Sequence, residues 1–151
     1  MTITLIHDAQ DFDAGEGGAG ELAGPLLEAV LDVDRANAEV VKSSNLQDLA
    51  KRLSALAIES GRLAIHGATA VGEQLVGAMV LTEPRLEVWR PGDVGPVLVV
   101  DGWVTSTAGI SLVRHRLAVL GASDAHSVVI GIHPQAASST EPSPSVTVLE
   151  R

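Results

Sequence analysis

Cysteine is absent from the 151-residue sequence, which excludes disulfides, thiolate metal sites and a cysteine nucleophile. Aromatic residues are nearly absent, since only Phe12, Trp89 and Trp103 are present. Hydrophobic residues nonetheless make up 46% of the chain, so the core must consist of Val, Leu, Ile and Ala. Continuous aliphatic runs are typical of parallel strands that are covered by helices on both faces.

Basic residues are few, with 10 Lys and Arg against 19 Asp and Glu, and the formal net charge is −9. This charge argues against a protein that wraps a nucleic-acid backbone. No apolar stretch reaches the roughly 18 residues of a membrane-spanning helix. The first residues lack the positive start of a signal peptide and become acidic at once. We therefore expect a cytoplasmic protein with no nucleic-acid or membrane partner.

Strand-like and helix-like segments alternate along the chain. Helices are predicted over residues 22–33, 45–61, 73–81 and 108–120, and strands over residues 2–7, 62–66, 85–89, 97–100 and 127–132. Asn45 is the predicted N-cap of the second helix and Gly61 the glycine that ends it, while Pro25 is expected in the first turn of the first helix. Residues 8–20 are predicted to form a loop. This alternation predicts an α/β fold, in which a parallel sheet is flanked by helices in three layers.

The segment 97–109, VLVVDGWVTSTAG, joins the most apolar predicted strand to a loop of small residues that runs into a helix. Asp101 is predicted at the carboxyl end of that strand, where open α/β sheets bind ligands. Free N–H groups at a helix start bind anions, and small side chains let a phosphate approach the backbone. An ordinary loop with Ser106 or Thr107 as N-cap is the alternative interpretation. The candidate phosphate loop consists of Thr105, Ser106, Thr107, Ala108 and Gly109.

The same segment resembles the phosphoribosyl-pyrophosphate (PRPP) signature of type I phosphoribosyltransferases (PRTases), and its spacing most resembles the orotate type. In that family two acids contact the ribose hydroxyls and the loop holds the 5′-phosphate. The resemblance implies that Asp101 is the catalytic residue that orients the ribose and that residues 105–109 bind the phosphate. The motif is degenerate, because Gly102 replaces the second acid and Trp103 follows it. This loss should weaken contacts to the ribose or to magnesium.

A second segment, LAIHGATAVGEQL at residues 63–75, resembles the pyrophosphate loop of the same family. The resemblance implies that Gly67, Ala68 and Thr69 bind the pyrophosphate. Small residues suit that role because peptide groups must turn toward the ligand. A plain strand-to-helix connection is the alternative. The long mobile loop that commonly closes over the reacting centre in this family is replaced here by residues 90–96, from which Arg90 could still reach a pyrophosphate.

The resemblance implies a PRTase-like domain that binds PRPP or a nucleotide and transfers its phosphoribosyl group to a nitrogen base. It also implies Mg²⁺ bound through the pyrophosphate, and a homodimer. One alternative is a non-catalytic regulator or assembly partner with the same fold. Another is a structural protein without a ligand, in which Trp103 lies across the crevice. We expect one domain over residues 1–133 with its core at 45–133, then a flexible tail at 134–151 that can add an edge strand.

The five histidines have no metal-ligand spacing, so no metal site is predicted from them. His7, His66 and His133 lie near predicted strand ends and could meet at one rim of the sheet. His66 adjoins the candidate pyrophosphate loop. The acidic residues between positions 8 and 16 are interpreted as a solvated loop.

Overall fold

The computed structural model describes residues 17–106, 108–134 and 145–150, with side chains described from residue 24 onward. The predicted strand at 2–7 and the candidate residue Thr107 therefore lie outside the described residues. In chain order the elements are α1 (Gly17–Val40), α2 (Ser43–Glu59), β1 (Ala64–Gly67), α3 (Ala70–Thr82), β2 (Glu87–Val88), β3 (Pro96–Val104), α4 (Ala108–Val119), β4 (Asp124–Ile132) and β5 (Val146–Val148).

The five strands form one sheet in the order β2-β1-β3-β4-β5, and every pairing is parallel. The central strand β3 pairs with β1, where Leu98 lies opposite Ile65, and with β4, where Val99 lies opposite Ser127. The strand order reverses between β1 and β3, and a crevice forms at the carboxyl ends of two strands that diverge in this way. The fold therefore places the loops that follow β1 and β3 side by side.

Helices cover both faces of the sheet, which confirms the predicted α/β class of a parallel sheet flanked by helices. On one face α1, α2 and α3 pack on the sheet, and fully buried residues there include Leu53, Leu75 and Leu98. On the other face Leu117 of α4 packs against Val97 and Val99. Burial of each such side chain contributes roughly 1.5–3 kcal/mol to folding. None of the described helices combines the length and apolar character that are needed to cross a bilayer.

The helix α1 differs from the prediction at its start. It begins at Gly17, so the predicted loop at 8–20 is wrong for its last four residues. Pro25 accordingly lies inside the helix and not in its first turn. Since proline lacks an N–H group, one helical hydrogen bond is lost there. Ala29 and Val33, further along the helix, are buried.

The helix α2 has the predicted end but not the predicted start. It begins at Ser43, and Asn45 is not its N-cap. Asn45 instead donates its Nδ2–H to the carbonyl oxygen of Glu39 at 2.9 Å, which satisfies a carbonyl at the end of α1. Gly61, with φ +69°, ends α2 as predicted, and the next residue, Arg62, donates its N–H back to the carbonyl of Ala57.

The strand β3 is longer than predicted. It runs to Val104, because its backbone stays paired with β4 as far as the Val104–Ile132 register. Asp101 therefore lies within the strand and not beyond its end. At the sheet edge β5 pairs with β4 through the Val128–Thr147 register. The domain boundary at residue 133 stays a prediction.

Candidate functional site

A cleft of about 390 Å³ opens at the carboxyl edge of the sheet, where β1 and β3 end. One wall comes from α1, and the other sides come from the loops that follow the two strands. The cleft brings together predicted site residues from both loops. They are Thr69, Asp101, Thr105, Ser106 and Gly109.

Asp101 is the buried acid of this cleft, with a side chain that is only 9% exposed. Its Oδ1 accepts two hydrogen bonds, from the hydroxyl of Thr69 at 2.6 Å and from the N–H of Gly102 at 2.8 Å. Its Oδ2 accepts none from the described part of the chain. Burial raises the pKa of the Asp101 carboxyl, and the two hydrogen bonds oppose that rise. One carboxylate oxygen is therefore left for a hydroxyl donor in the cleft.

Thr69 links Asp101 to the start of α3. It is the N-cap residue of that helix, and its Oγ1 accepts a hydrogen bond from the N–H of Gly72 at 3.2 Å. The same hydroxyl donates its hydrogen to Asp101. Thr69 thus holds the acid in place with a group that also caps the helix.

The other two residues of the candidate pyrophosphate loop do not reach the cleft. A side chain on Gly67 would overlap the backbone of Gly72 and Glu73, so the glycine is needed for close packing of β1 on α3. Ala68 donates its N–H to the carbonyl of Val100 at 2.9 Å, and its methyl group packs on the face that α4 covers. The small residues of this loop therefore serve contacts within the protein.

Three residues of the candidate phosphate loop line the cleft. Thr105 and Ser106 line it, followed by α4, which starts at Ala108. Ala108 is exposed but does not line the cleft, whereas Gly109 does. A side chain on Gly109 would meet no atom within 4 Å. The first N–H groups of a helix have no partner within the helix, so the start of α4 can donate to an anion here.

Asn37 is the residue that the sequence analysis missed. From α1 it bonds the backbone of Trp103, with Oδ1 accepting from the Trp103 N–H at 2.7 Å and Nδ2 donating to the Trp103 carbonyl at 3.2 Å. A polar residue between the buried Val33 and Val40, in the apolar stripe of α1, was the signal that could have revealed it.

The close approach of Asn37 also accounts for a glycine at position 102. A side chain at position 102 would overlap Oδ1 of Asn37 and Cγ1 of Val71. A residue larger than glycine at position 102 would therefore require Asn37 and Val71 to move. Trp103 lies beside this contact, where its ring packs against Gly131 of β4 and lines one end of the cleft.

The described histidines do not form a metal site. No group of three or more His, Asp or Glu that could hold a metal ion occurs within the described ranges, and His7 lies outside them. The ring of His66 packs edge-on against Trp89, with centroids 5.7 Å apart. Burial lowers the pKa of His66, Glu73 opposes this, and Arg116 adds to it. His133 instead contacts Asp32 through Nε2 at 3.2 Å.

No protein-family model matches the chain, and comparison with curated proteins finds no match. Among solved structures, hypoxanthine phosphoribosyltransferase of Trypanosoma cruzi is similar at 12% identity and a TM-score of 0.45, over 74% of this chain and 77% of that one. The same enzyme in complex with the product IMP is similar at 14% identity and a TM-score of 0.46, over 74% and 71%. A point variant of that enzyme, also in complex with IMP, is similar at 13% identity and a TM-score of 0.47, over 74% of this chain and 71% of that one.

Proposed function

We propose that the cleft binds the ribose 5-phosphate part of a nucleotide or of PRPP, as a PRTase-like protein would. The observation that carries this proposal is that Thr69 and residues of the candidate phosphate loop line one cleft together with the buried Asp101. In this arrangement Oδ2 of Asp101 accepts a hydrogen bond from a ribose hydroxyl. The phosphate lies at residues 105–109, where N–H groups of α4 and the hydroxyls of Thr105 and Ser106 donate to it.

We further propose that the protein binds this ligand without transferring it, as the regulator or assembly partner named among the alternatives. The glycine at position 102 supports this, since it replaces the second acid of the signature and a carboxylate there would overlap Asn37. The short turn after β2 supports it too. Trp89 donates its Nε1–H to the carbonyl of Asp93 at 3.1 Å, and Gly92 donates its N–H to the carbonyl of Leu120 at 3.0 Å. Because these two hydrogen bonds fix the turn to Trp89 and to Leu120, the turn is poorly suited to close over a reacting centre.

Phosphoribosyl transfer to a nitrogen base is the second candidate, because Asp101 lines the cleft and its Oδ2 has no hydrogen-bond partner among the described residues. In that reaction Asp101 would orient the ribose and offset the positive charge that develops on it. Water exclusion would then need a group other than the turn at 90–96. Arg90 is exposed and is not among the residues that line the cleft.

The described residues do not fit a protein-held Mg²⁺. Hard cations prefer several oxygen ligands, commonly more than one carboxylate. Asp101 offers one remaining oxygen, Gly102 offers none, and the described ranges contain no cluster of acids. Mg²⁺ bound through the pyrophosphate of PRPP stays a prediction.

A homodimer, a cytoplasmic location and the orotate-type motif stay predictions. The dimer is supported by the middle of α1, which exposes Leu26, Leu27, Val30 and Leu31. Analytical ultracentrifugation across a hundredfold range of concentration tests it. A protein that sediments as a monomer throughout would contradict it.

Calorimetric titration with PRPP, ribose 5-phosphate and nucleoside 5′-monophosphates tests the proposed function. Asp101→Asn should weaken binding about ten- to a hundredfold, because it removes a charge-assisted hydrogen bond. Asp93→Asn, in the turn outside the cleft, is the control and should leave binding unchanged. If none of these ligands binds at millimolar concentration, the proposal is wrong. Release of pyrophosphate after a panel of nucleobases is added would favour the transferase.

A further inference from the structure

The middle of α1 has an apolar face that the described part of the fold leaves exposed. Four of its side chains are exposed together, namely Leu26, Leu27, Val30 and Leu31. Asp34, also exposed, lies one helical turn after Val30 and Leu31 and continues the same side of the helix. We call these five residues the α1 face. Exposed apolar patches of this kind mark sites of interaction with other proteins.

The helix α4 has a second face of this kind with the opposite charge. Leu112 and Val119 are exposed on it, and the exposed Arg116 lies between them, one helical turn from each. We call these three residues the α4 face. Val94, in the turn that is hydrogen-bonded to the end of α4, is exposed as well. The helix α4 contains no acidic residue.

The two faces are complementary in charge. The described side chains of α1 include a single base, Arg35, against the acids Glu28, Asp32, Asp34 and Glu39. Arg35 is paired with Asp32 at 3.5 Å. Neither Asp34 nor Arg116 forms an ion pair within the described ranges. Each face therefore presents one unpaired charge beside exposed aliphatic side chains.

A twofold contact would set each face against its own copy. Through α1 it would bring two acidic helices together, and through α4 two basic ones. Like charges that face each other across an interface oppose association and exclude the wrong partner. A contact between α1 of one copy and α4 of another instead pairs Asp34 with Arg116 and covers both apolar faces.

We propose that the chain associates with itself head to tail, with the α1 face of one copy on the α4 face of the next. The two helices cover opposite faces of the sheet, so each copy can contact two neighbours. Such a heterologous contact produces a ring or an open chain, of which two copies are the first step. This inference goes beyond the ligand proposed for the cleft and does not depend on it.

Sedimentation velocity from micromolar to millimolar concentration tests the assembly of the full chain. Association should continue past two copies as the concentration rises. Leu27→Gln and Leu112→Gln, one on each face, should both weaken it, because each removes an exposed aliphatic side chain from the contact. Both positions are exposed, so neither variant should affect folding.

Two charge reversals distinguish the head-to-tail contact from a twofold one. Asp34→Lys and Arg116→Glu should each weaken association about five- to tenfold, since each turns an exposed attraction into a repulsion. Glu59→Lys and Lys51→Glu, at exposed positions of α2, change the net charge by the same amounts and should leave association unchanged. In a twofold contact through α1, Arg116→Glu would have no effect, and in one through α4, Asp34→Lys would have none.

An equimolar mixture of the two charge-reversed chains completes the test. The α1 face of the Asp34→Lys chain and the α4 face of the Arg116→Glu chain again carry opposite charges, and the reverse contact is that of the wild type. The mixture should therefore associate as tightly as the wild type. The inference is overturned by a wild type that stays monomeric or stops at two copies, by either reversal having no effect, or by a mixture that does not regain association.

Discussion

The hydroxyl of Thr69 donates a hydrogen bond of 2.6 Å to Oδ1 of Asp101, a residue of β3 that lies 32 positions later in the sequence. The same oxygen caps α3 by accepting the N–H of Gly72. One side chain therefore contributes both to the stability of a helix and to the position of the candidate ribose-binding acid. Changes at Thr69 should affect folding and binding together.

Thr69→Val should lower the free energy of unfolding by about 1–3 kcal/mol, because it removes the helix cap and leaves Asp101 with one hydrogen bond fewer. It should also raise the pKa of Asp101 further, since the Thr69 hydrogen bond lowers that pKa. Urea unfolding and carboxyl NMR titration measure the two effects. Thr69→Ser keeps the hydroxyl and is the matched control. Equal losses in both variants would show that the hydroxyl does not matter.

Ionisation of Asp101 should make the protein less stable as the pH rises. Burial raises the folded-state pKa of Asp101 above the unfolded value, so between the two values the folded state binds more protons. The contribution of Asp101 is fully present below the unfolded pKa and is lost as the pH rises through the folded pKa. Asp101→Asn has no such loss, so its stability relative to the wild type should increase from pH 3 to pH 7.

Parallel urea titrations of the wild type and Asp101→Asn across that range measure this difference. Glu28→Gln, an exposed change on α1, serves as the control for general charge effects. A stability difference that stays constant or shrinks as the pH rises would contradict the prediction. Ligand binding should show the opposite trend and weaken at acidic pH, because a protonated Asp101 offers a poorer acceptor to ribose.

The sheet could be predicted because a strand that is buried on both faces has a continuous aliphatic run in its sequence. The aliphatic runs in β3 and β4 identify those strands without tertiary information. The continuation of β3 from Asp101 to Val104 has no such signal, since it depends on pairing with β4 and on Asn37 from a helix 66 residues earlier. Long-range pairing overrides local preference there.

For the candidate site, too, the sequence predicted some features and missed others. The small residues after β1 and β3 correctly marked the two loops that turn at the sheet edge. They did not reveal that Gly67 is small for packing on α3, or that the Ala68 N–H is bonded to Val100. A small residue allows either a ligand or a neighbouring backbone to approach, and only the three-dimensional arrangement distinguishes the two.

The contact between Gly102 and Asn37 should appear as a strong coupling in a double-mutant cycle. Gly102→Ala places a methyl group against Oδ1 of Asn37 and should cost about 1–3 kcal/mol, as overpacking does. Asn37→Ala removes two hydrogen bonds to Trp103 and should cost about 1–3 kcal/mol. The double variant should be more stable than the sum of the two losses predicts, because the overlapping amide is gone. Urea unfolding of all four proteins measures the coupling, and strict additivity would contradict it.

Arg62 should matter for stability but not for ligand binding. Its guanidinium donates to the carbonyls of Val97 and Asp124 at 3.2 and 2.9 Å and to Oδ1 of Asp124 at 2.9 Å, so it joins the amino ends of β3 and β4. These ends lie at the edge of the sheet opposite the cleft. Arg62→Met should therefore lower the free energy of unfolding by about 1.5–3 kcal/mol and leave the affinity for ribose 5-phosphate unchanged. Arg85→Met, which removes an exposed pair with Glu83, is the control and should have little effect on unfolding. A loss of affinity in folded Arg62→Met would place the ligand away from the carboxyl edge.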